Sequence, residues 1–279
     1  MIFKGRKLVI ATMHKKETVI APILENYLGV KCVTSNQLNT DSYGTFSGEI
    51  ERNLSPLEVL RKKCFTAMDL ENCDLAIASE GSFGCHPLYP FTQADEEFVM
   101  FIDQRNTLEI VERELSVNTN LNASYLNNVD DLLDFAEKCQ FPSHALILKN
   151  QETGYVYLEK GITSKERLID CFNECFSIHG TVFIETDMRA LFNPSRMKVI
   201  EKATEKLCVK INSKCPNCLF PGYSVQRVLS GLPCMSCSLP TKSTKSFVFQ
   251  CLSCLHEEIE EFPHGKILED PMYCDFCNP

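Results

Sequence analysis

The chain has 279 residues, of which 44% are hydrophobic and 23% charged, with a formal net charge of −9. The composition is that of a soluble globular protein, and the length suits one large domain of roughly 200 residues beside a small module. No apolar run approaches the ~18 residues of a membrane helix and no export segment opens the chain, so no membrane partner and a cytoplasmic location are expected.

In chain order, KLVIAT at 7–12 reads as a buried strand, and the next segment places Val19, Ile20, Ile23, Leu24 and Tyr27 on one face of a helix that Gly29 stops. VKCVTS at 30–35 is a second strand. Ser55-Pro56-Leu57-Glu58 combines an N-cap serine, a first-turn proline and the glutamate of a capping box, so another helix begins there. DLAIAS at 74–79 returns to the sheet. Further strands are expected at 98–103, 107–115, 144–149, 155–161 and 181–187, and helices at 129–139, 164–177 and 194–211. The fold class is α/β: a mixed twisted sheet flanked by helices over 1–212, then a double zinc-ribbon module over 213–279.

The module rests on the cysteines. Of the 16 in the chain, eight form four C-x-x-C pairs after residue 214: Cys215/Cys218, Cys234/Cys237, Cys251/Cys254 and Cys274/Cys277. Two intervening residues let both sulfurs of a knuckle face one ion, and two knuckles complete a closed tetrahedral site of four thiolates. Four knuckles therefore call for two structural zinc ions. Three pairings are open; joining neighbours, first with second and third with fourth, is the simplest. SFVFQ and LHEEIEEF read as a ribbon hairpin with Cys251 and Cys254 at its tip, and His256 and His264 fall outside the knuckles. Residues 215–279 carry four Lys/Arg against seven Asp/Glu, a balance of −3. That argues against a nucleic-acid partner, which needs a basic face.

Functional groups of an α/β sheet collect where strands end. The turn from Thr12 to Glu17 opens a helix with a hydroxyl, His14, Lys15 and Lys16, groups that suit phosphate. The loop 39–52 holds Asp41, Glu49 and Glu51, and a loop expected at 79–84 holds Glu80; such oxygens suit Mg2+ beside a phosphate. Glu185 to Arg189 forms a fourth loop. Each loop alone also fits solvated lysines and turn-capping carboxylates. Neither a G-x-S-x-G elbow nor a dinucleotide-binding fingerprint is present.

The ordered set ATMHKKE at 11–17, GTFSGEIER at 44–52, SEGSFG at 79–84, ETDMRA at 185–190, NPSRM at 193–197 and a terminal CDFCNP resembles a domain family of unknown function. The first 90 or so residues are also similar to nucleoside-triphosphate pyrophosphatases of the inosine/xanthosine triphosphatase type. That resemblance implies a phosphate grip at Thr12, His14 and Lys16, with acidic ligands at Glu49 and Glu80 and basic residues at Arg61, Lys62 and Lys63. His14 stands where that family has asparagine, and Glu17 where it has lysine.

Two readings follow. In one the protein is a metal-dependent nucleotide or phosphate-ester hydrolase, with Glu49, Glu80, Lys62 and Arg189 as catalytic residues and Mg2+ as cofactor. In the other an inactive α/β domain and the zinc ribbons form a non-enzymatic binding scaffold. Clustered carboxylates facing lysines separate the first from the second.

Overall fold

The computed structural model describes residues 2–38, 54–150 and 157–279. By its internal contacts the chain divides into two compact units, Met1–Leu207 and Cys208–Pro279. It is a mixed α/β protein, with sheets flanked by helices in the first unit and both cysteine clusters in the second. No helix among the described residues is long and apolar enough to cross a membrane.

The first unit contains two sheets. Strand β1 (Lys7–Ala11) is apolar on both faces because it lies inside a five-stranded sheet of order β2-β1-β3-β4-β5. Its neighbours β2 (Lys31–Thr34) and β3 (Leu75–Cys85) run parallel to it, whereas β4 (Gln93–Asp103) and β5 (Leu108–Ser116) add antiparallel strands. Helix α1 (Glu17–Leu28) buries Ile20, Leu24 and Leu28, and ends at Gly29 with φ 66°. The buried stripe is thus the i, i+4, i+8 row. Tyr27, expected on the same face, is exposed. Helix α2 (Pro56–Glu71) begins with the expected capping box, Ser55 accepting from the Glu58 N–H while Glu58 accepts from that of Ser55. It packs Leu60, Cys64, Ala67 and Met68 against Val9, Ala76, Ala78 and Met100 of the sheet.

One expectation fails here. Residues 79–84 are not a loop, because β3 continues through Cys85 in unbroken register with β4, from Leu75↔Asp103 to Cys85↔Gln93. The cross-strand ladder overrides the local preference of Gly81, Ser82 and Gly84 for a turn. Glu80 therefore sits within a strand instead of at its end.

The second sheet is antiparallel, of order β6-β9-β7-β8: β6 (Ala123–Leu126), β7 (Leu146–Asn150), β8 (Tyr157–Ile162) and β9 (Val182–Thr186). Helices α3 (Val129–Lys138) and α4 (Lys165–His179) cover it, burying Leu132, Phe135, Leu168 and Phe172 against Leu146, Leu148 and Ile184. Helix α5 (Pro194–Asn212) follows. The division between units falls inside α5 because its last turn bonds to the first knuckle segment: the Gly222 N–H donates to Ile211 O and the Tyr223 N–H to Ser213 O. The second unit is a meander of β10 (Ser224–Ser230), β11 (Thr244–Gln250) and β12 (Glu257–Glu261), the last two being the expected hairpin.

Candidate functional site

Three of the knuckles share one backbone frame. The Cys215 N–H donates to Phe220 O at 2.9 Å and the Leu219 N–H to Cys215 O at 2.9 Å; the same two bonds recur from Cys234 and Ser238, and from Cys251 and Leu255. Closing the turn puts Leu219, Ser238 and Leu255 in the left-handed region, at φ 62°, 62° and 60°. Backbone N–H groups then reach sulfur: Ser236 donates to Cys234 Sγ and Ser253 to Cys251 Sγ, each at 3.4 Å.

The sulfurs gather as Cys215, Cys218, Cys251 and Cys254, and as Cys234, Cys237, Cys274 and Cys277. Neighbouring knuckles are thus not partners; the first joins the third and the second joins the fourth. The cause is strand register. Because Ser224 of β10 pairs with Gln250 of β11, the knuckle before β10 meets the knuckle after β11. Strand β12 runs back beside β11 and carries the tail to the other end, where Cys234 bridges to Glu269. Contacts between sulfurs are 3.6 Å (Cys215–Cys254), 3.6 Å (Cys218–Cys251), 3.8 Å (Cys234–Cys277) and 3.6 Å (Cys237–Cys274). Four thiolates ~2.3 Å from a central zinc stand about 3.8 Å apart. Disulfide sulfurs would be at about 2.05 Å. Each cluster can therefore hold one zinc, and with four protein ligands the role is structural.

A second constellation lies in the first unit. Antiparallel pairing sets Gly81 opposite Glu97 and Phe83 opposite Asp95, so these residues share a face of the β3–β4 ladder. Six side chains of charged type are buried along this ladder: Lys16 (7% exposed), Asp95 (1%), Glu97 (0%) and Arg196 (2%), and, on the α2 side of the sheet, Lys63 (7%) and Glu80 (7%). Glu80 pairs with Phe98 and so points away from the face of Gly81 and Glu97. Arg196 Nε donates to Glu97 Oε1 and its Nη1 to Met188 O, both at 2.5 Å, while the guanidinium lies 5.0 Å from the centre of the Phe83 ring. Lys63 Nζ donates to Glu80 Oε2 at 2.5 Å, and Lys16 Nζ to Ser79 Oγ at 2.9 Å. Gly81 is required for this approach: a Cβ there would lie 2.5 Å from Glu97 Oε1 and 2.6 Å from Arg196 Nη2.

Burial is the largest influence on the titration of two members. It lowers Lys16 to about 7, assisted by the positive charges of Arg196 and Lys63 and opposed by Glu97 and Glu80. It raises Asp95 to about 8, reinforced by the neighbouring charge of Glu97. Asp95 Oδ1 and Glu97 Oε2 are buried and have no hydrogen-bond partner among the described residues. The cluster offers ammonium and guanidinium groups for an anion, and carboxylate oxygens for a proton or a hard cation.

The sequence-derived residues distribute unevenly over this arrangement. Thr12 is buried, its Oγ1 accepting the His14 N–H at 3.3 Å, and it lines a hollow of about 240 Å3 with Lys15, Thr34 and Ser35. Lys16 and Glu80 belong to the buried cluster. Lys62 is exposed on α2, and Lys63, one residue further, is the one that reaches Glu80. Arg189 is clamped by Asp187, with Nη2 to Oδ2 at 2.6 Å, and lines a cleft of about 580 Å3 with Phe83, Gln93, Asn122 and Glu185. Asp41, Glu49 and Glu51 lie outside the described residues. Asp95 and Glu97 were not singled out from the sequence, and Lys63 entered only through the pyrophosphatase resemblance. Lys63 falls in the apolar row Val59–Leu60–Cys64–Ala67, and Asp95 and Glu97 stand two apart on the strand face that continues as Val99 and Phe101; both are readable signals of buried charge.

Residues 63–279 match the family described as a domain of unknown function, DUF6671. The chain belongs to that family. The matched span holds Lys63, Glu80, Asp95, Glu97, Arg196 and all eight knuckle cysteines, whereas Thr12, His14, Lys16, Glu49 and Lys62 precede it. The family has no assigned activity, in agreement with the resemblance carried by the motif set. No curated protein matches the chain.

Proposed function

We propose that the first unit is a metal-dependent hydrolase of a nucleotide or another phosphorylated small molecule, and that the zinc unit is structural. The observation that carries this reading is the burial of carboxylates and basic groups at one stretch of β3 and β4, with Arg196 and Lys16 beside Glu97 and Asp95 on one face of the sheet and Lys63 paired with Glu80 on the other. Six ionisable side chains are not removed from water without a compensating use, since desolvation offsets most of what their mutual attraction returns. A protein whose α/β domain served only as a scaffold would leave such groups dispersed and solvated.

The roles follow from position. Thr12 and Lys16, at the turn that opens α1, offer a hydroxyl, backbone N–H groups and an ammonium to phosphate. Lys63 replaces Lys62 as the second cation and pairs with Glu80. Glu80 orients the attacking water. A bound Mg2+ would supply charge neutralisation at phosphoryl oxygens and a lowered pKa for water.

Incubation with a panel of nucleotides and phosphate esters in Mg2+ or Mn2+ tests the reading. Release of phosphate or pyrophosphate that Glu80→Gln abolishes, with the thermal transition retained, is the expected result. Absence of metal-dependent turnover above the Glu80→Gln control removes the reading. The scaffold alternative draws on a separate observation, that every knuckle presents an exposed apolar side chain, namely Leu219, Met235, Leu255 and Phe276. It takes the lead if the panel is inert.

A further inference from the structure

We propose that Asp95 and Glu97 together hold a divalent cation of the Mg2+ or Mn2+ class. The hydrolase reading supplies the use of that cation, but the binding itself rests on the geometry of β4. Both residues point to one face of the strand, two positions apart, and both are removed from solvent. Each keeps one carboxylate oxygen, Asp95 Oδ1 and Glu97 Oε2, that finds no hydrogen-bond donor among the described residues. Buried carboxylate oxygens are nearly always satisfied. Here the two exceptions are neighbours, which marks a shared partner that the protein itself does not supply.

The surroundings narrow the class of ligand. The groups facing the pair are Arg196 from α5 and Lys16 from the start of α1, with Glu97 and Asp95 facing each other along β4. Glu97 Oε1 is already committed to Arg196, and Glu80 to Lys63, so the free oxygens of this cluster are those of the pair. Oxygen-only donors exclude the soft metals that the cysteine clusters suit. Two carboxylates are too few for the six to eight oxygens that Ca2+ takes, but they match Mg2+ or Mn2+, which keep several positions for water or phosphate. Charge balance sets a condition. Arg196 and Lys16 already stand beside the pair, so an added dication is favoured when an anion enters with it. Cation and phosphate should therefore bind cooperatively.

Electron paramagnetic resonance of Mn2+ added to the full zinc-loaded chain, in the presence of inorganic phosphate, tests this. The expected result is a bound Mn2+ whose affinity falls at least about tenfold in Asp95→Asn and in Glu97→Gln, a loss that even outer-shell partners can cause. Glu80→Gln should reduce it less. Should either substitution prevent folding, wild-type protein carrying 13C-carboxyl aspartate gives a second readout, a carbon hyperfine coupling to bound Mn2+. No bound Mn2+, unchanged affinity in Asp95→Asn, or no coupling overturns the proposal and leaves the pair as two acids sharing a proton. Metal-dependent turnover with Mn2+ bound elsewhere would retain the hydrolase reading and remove this one. Mn2+ at the pair with no turnover on any substrate would do the reverse.

Discussion

Replacing Arg196 by methionine isolates the energetics of the buried cluster without reference to any activity. Methionine keeps the length and apolar stem of the side chain. It removes the bonds to Glu97 Oε1 and Met188 O, each at 2.5 Å, and the contact with the Phe83 ring. Glu97, 0% exposed, then retains a charge without its closest counter-charge. Breaking a buried ion pair from one side costs about 3–5 kcal/mol. For a unit of roughly 200 residues each kcal/mol moves Tm by about 2–4 °C, so the transition should fall by about 6–20 °C. Adding Glu97→Gln removes the stranded charge, and the double variant should recover about 1 kcal/mol or more. Thermal unfolding of the zinc-loaded chain, followed by circular dichroism, measures both; insensitivity to chelation identifies the transition of the first unit. A loss below about 1 kcal/mol in Arg196→Met, or no recovery in the double variant, would refute the view of Glu97 and Arg196 as a buried ion pair whose two halves depend on each other.

Three further outcomes are expected. Elemental analysis should find two zinc ions per chain; Cys215→Ser combined with Cys251→Ser should leave one, whereas Cys215→Ser combined with Cys234→Ser should leave none, because the first pair shares a cluster and the second does not. The reverse pattern would restore neighbour pairing. His144 Nε2 accepts the Ser195 N–H at 3.2 Å, and burial lowers its pKa below the ordinary histidine value, so the folded state favours the neutral ring. The unfolded chain then binds more protons below about pH 6.5, and stability is lost as pH falls through that value. His144→Gln should flatten this slope in denaturant titrations run at several pH values, and an unchanged slope would assign it to other groups. Gly81→Ala should destabilise the first unit by about 1–3 kcal/mol, since the new methyl meets Glu97 Oε1 and Arg196 Nη2 well inside contact distance; a neutral result in the same melts would mean that the cluster yields easily.

What the sequence determined by itself is what short-range chemistry decides. Two residues between cysteines shape a knuckle wherever it occurs, and Ser55 with Glu58 caps α2 through bonds that span three residues. The continuous apolar run of β1 marked a strand buried on both faces, and Cys251 and Cys254 marked a hairpin tip. Tertiary structure decided every feature that depends on register or on distant partners. Ser79 to Cys85 are strand because β4 lies alongside, although their glycines and serines favour a turn. Lys63 instead of Lys62 meets Glu80 because one residue turns a helix by about 100°, and only the packing of α2 fixes which side faces the sheet. The zinc partners follow from where β10 starts beside β11. Glu97 and Arg196 stand 99 residues apart in the chain, and local preferences carry no information over such a distance; a buried pair of this kind is specified by the fold that brings its halves together.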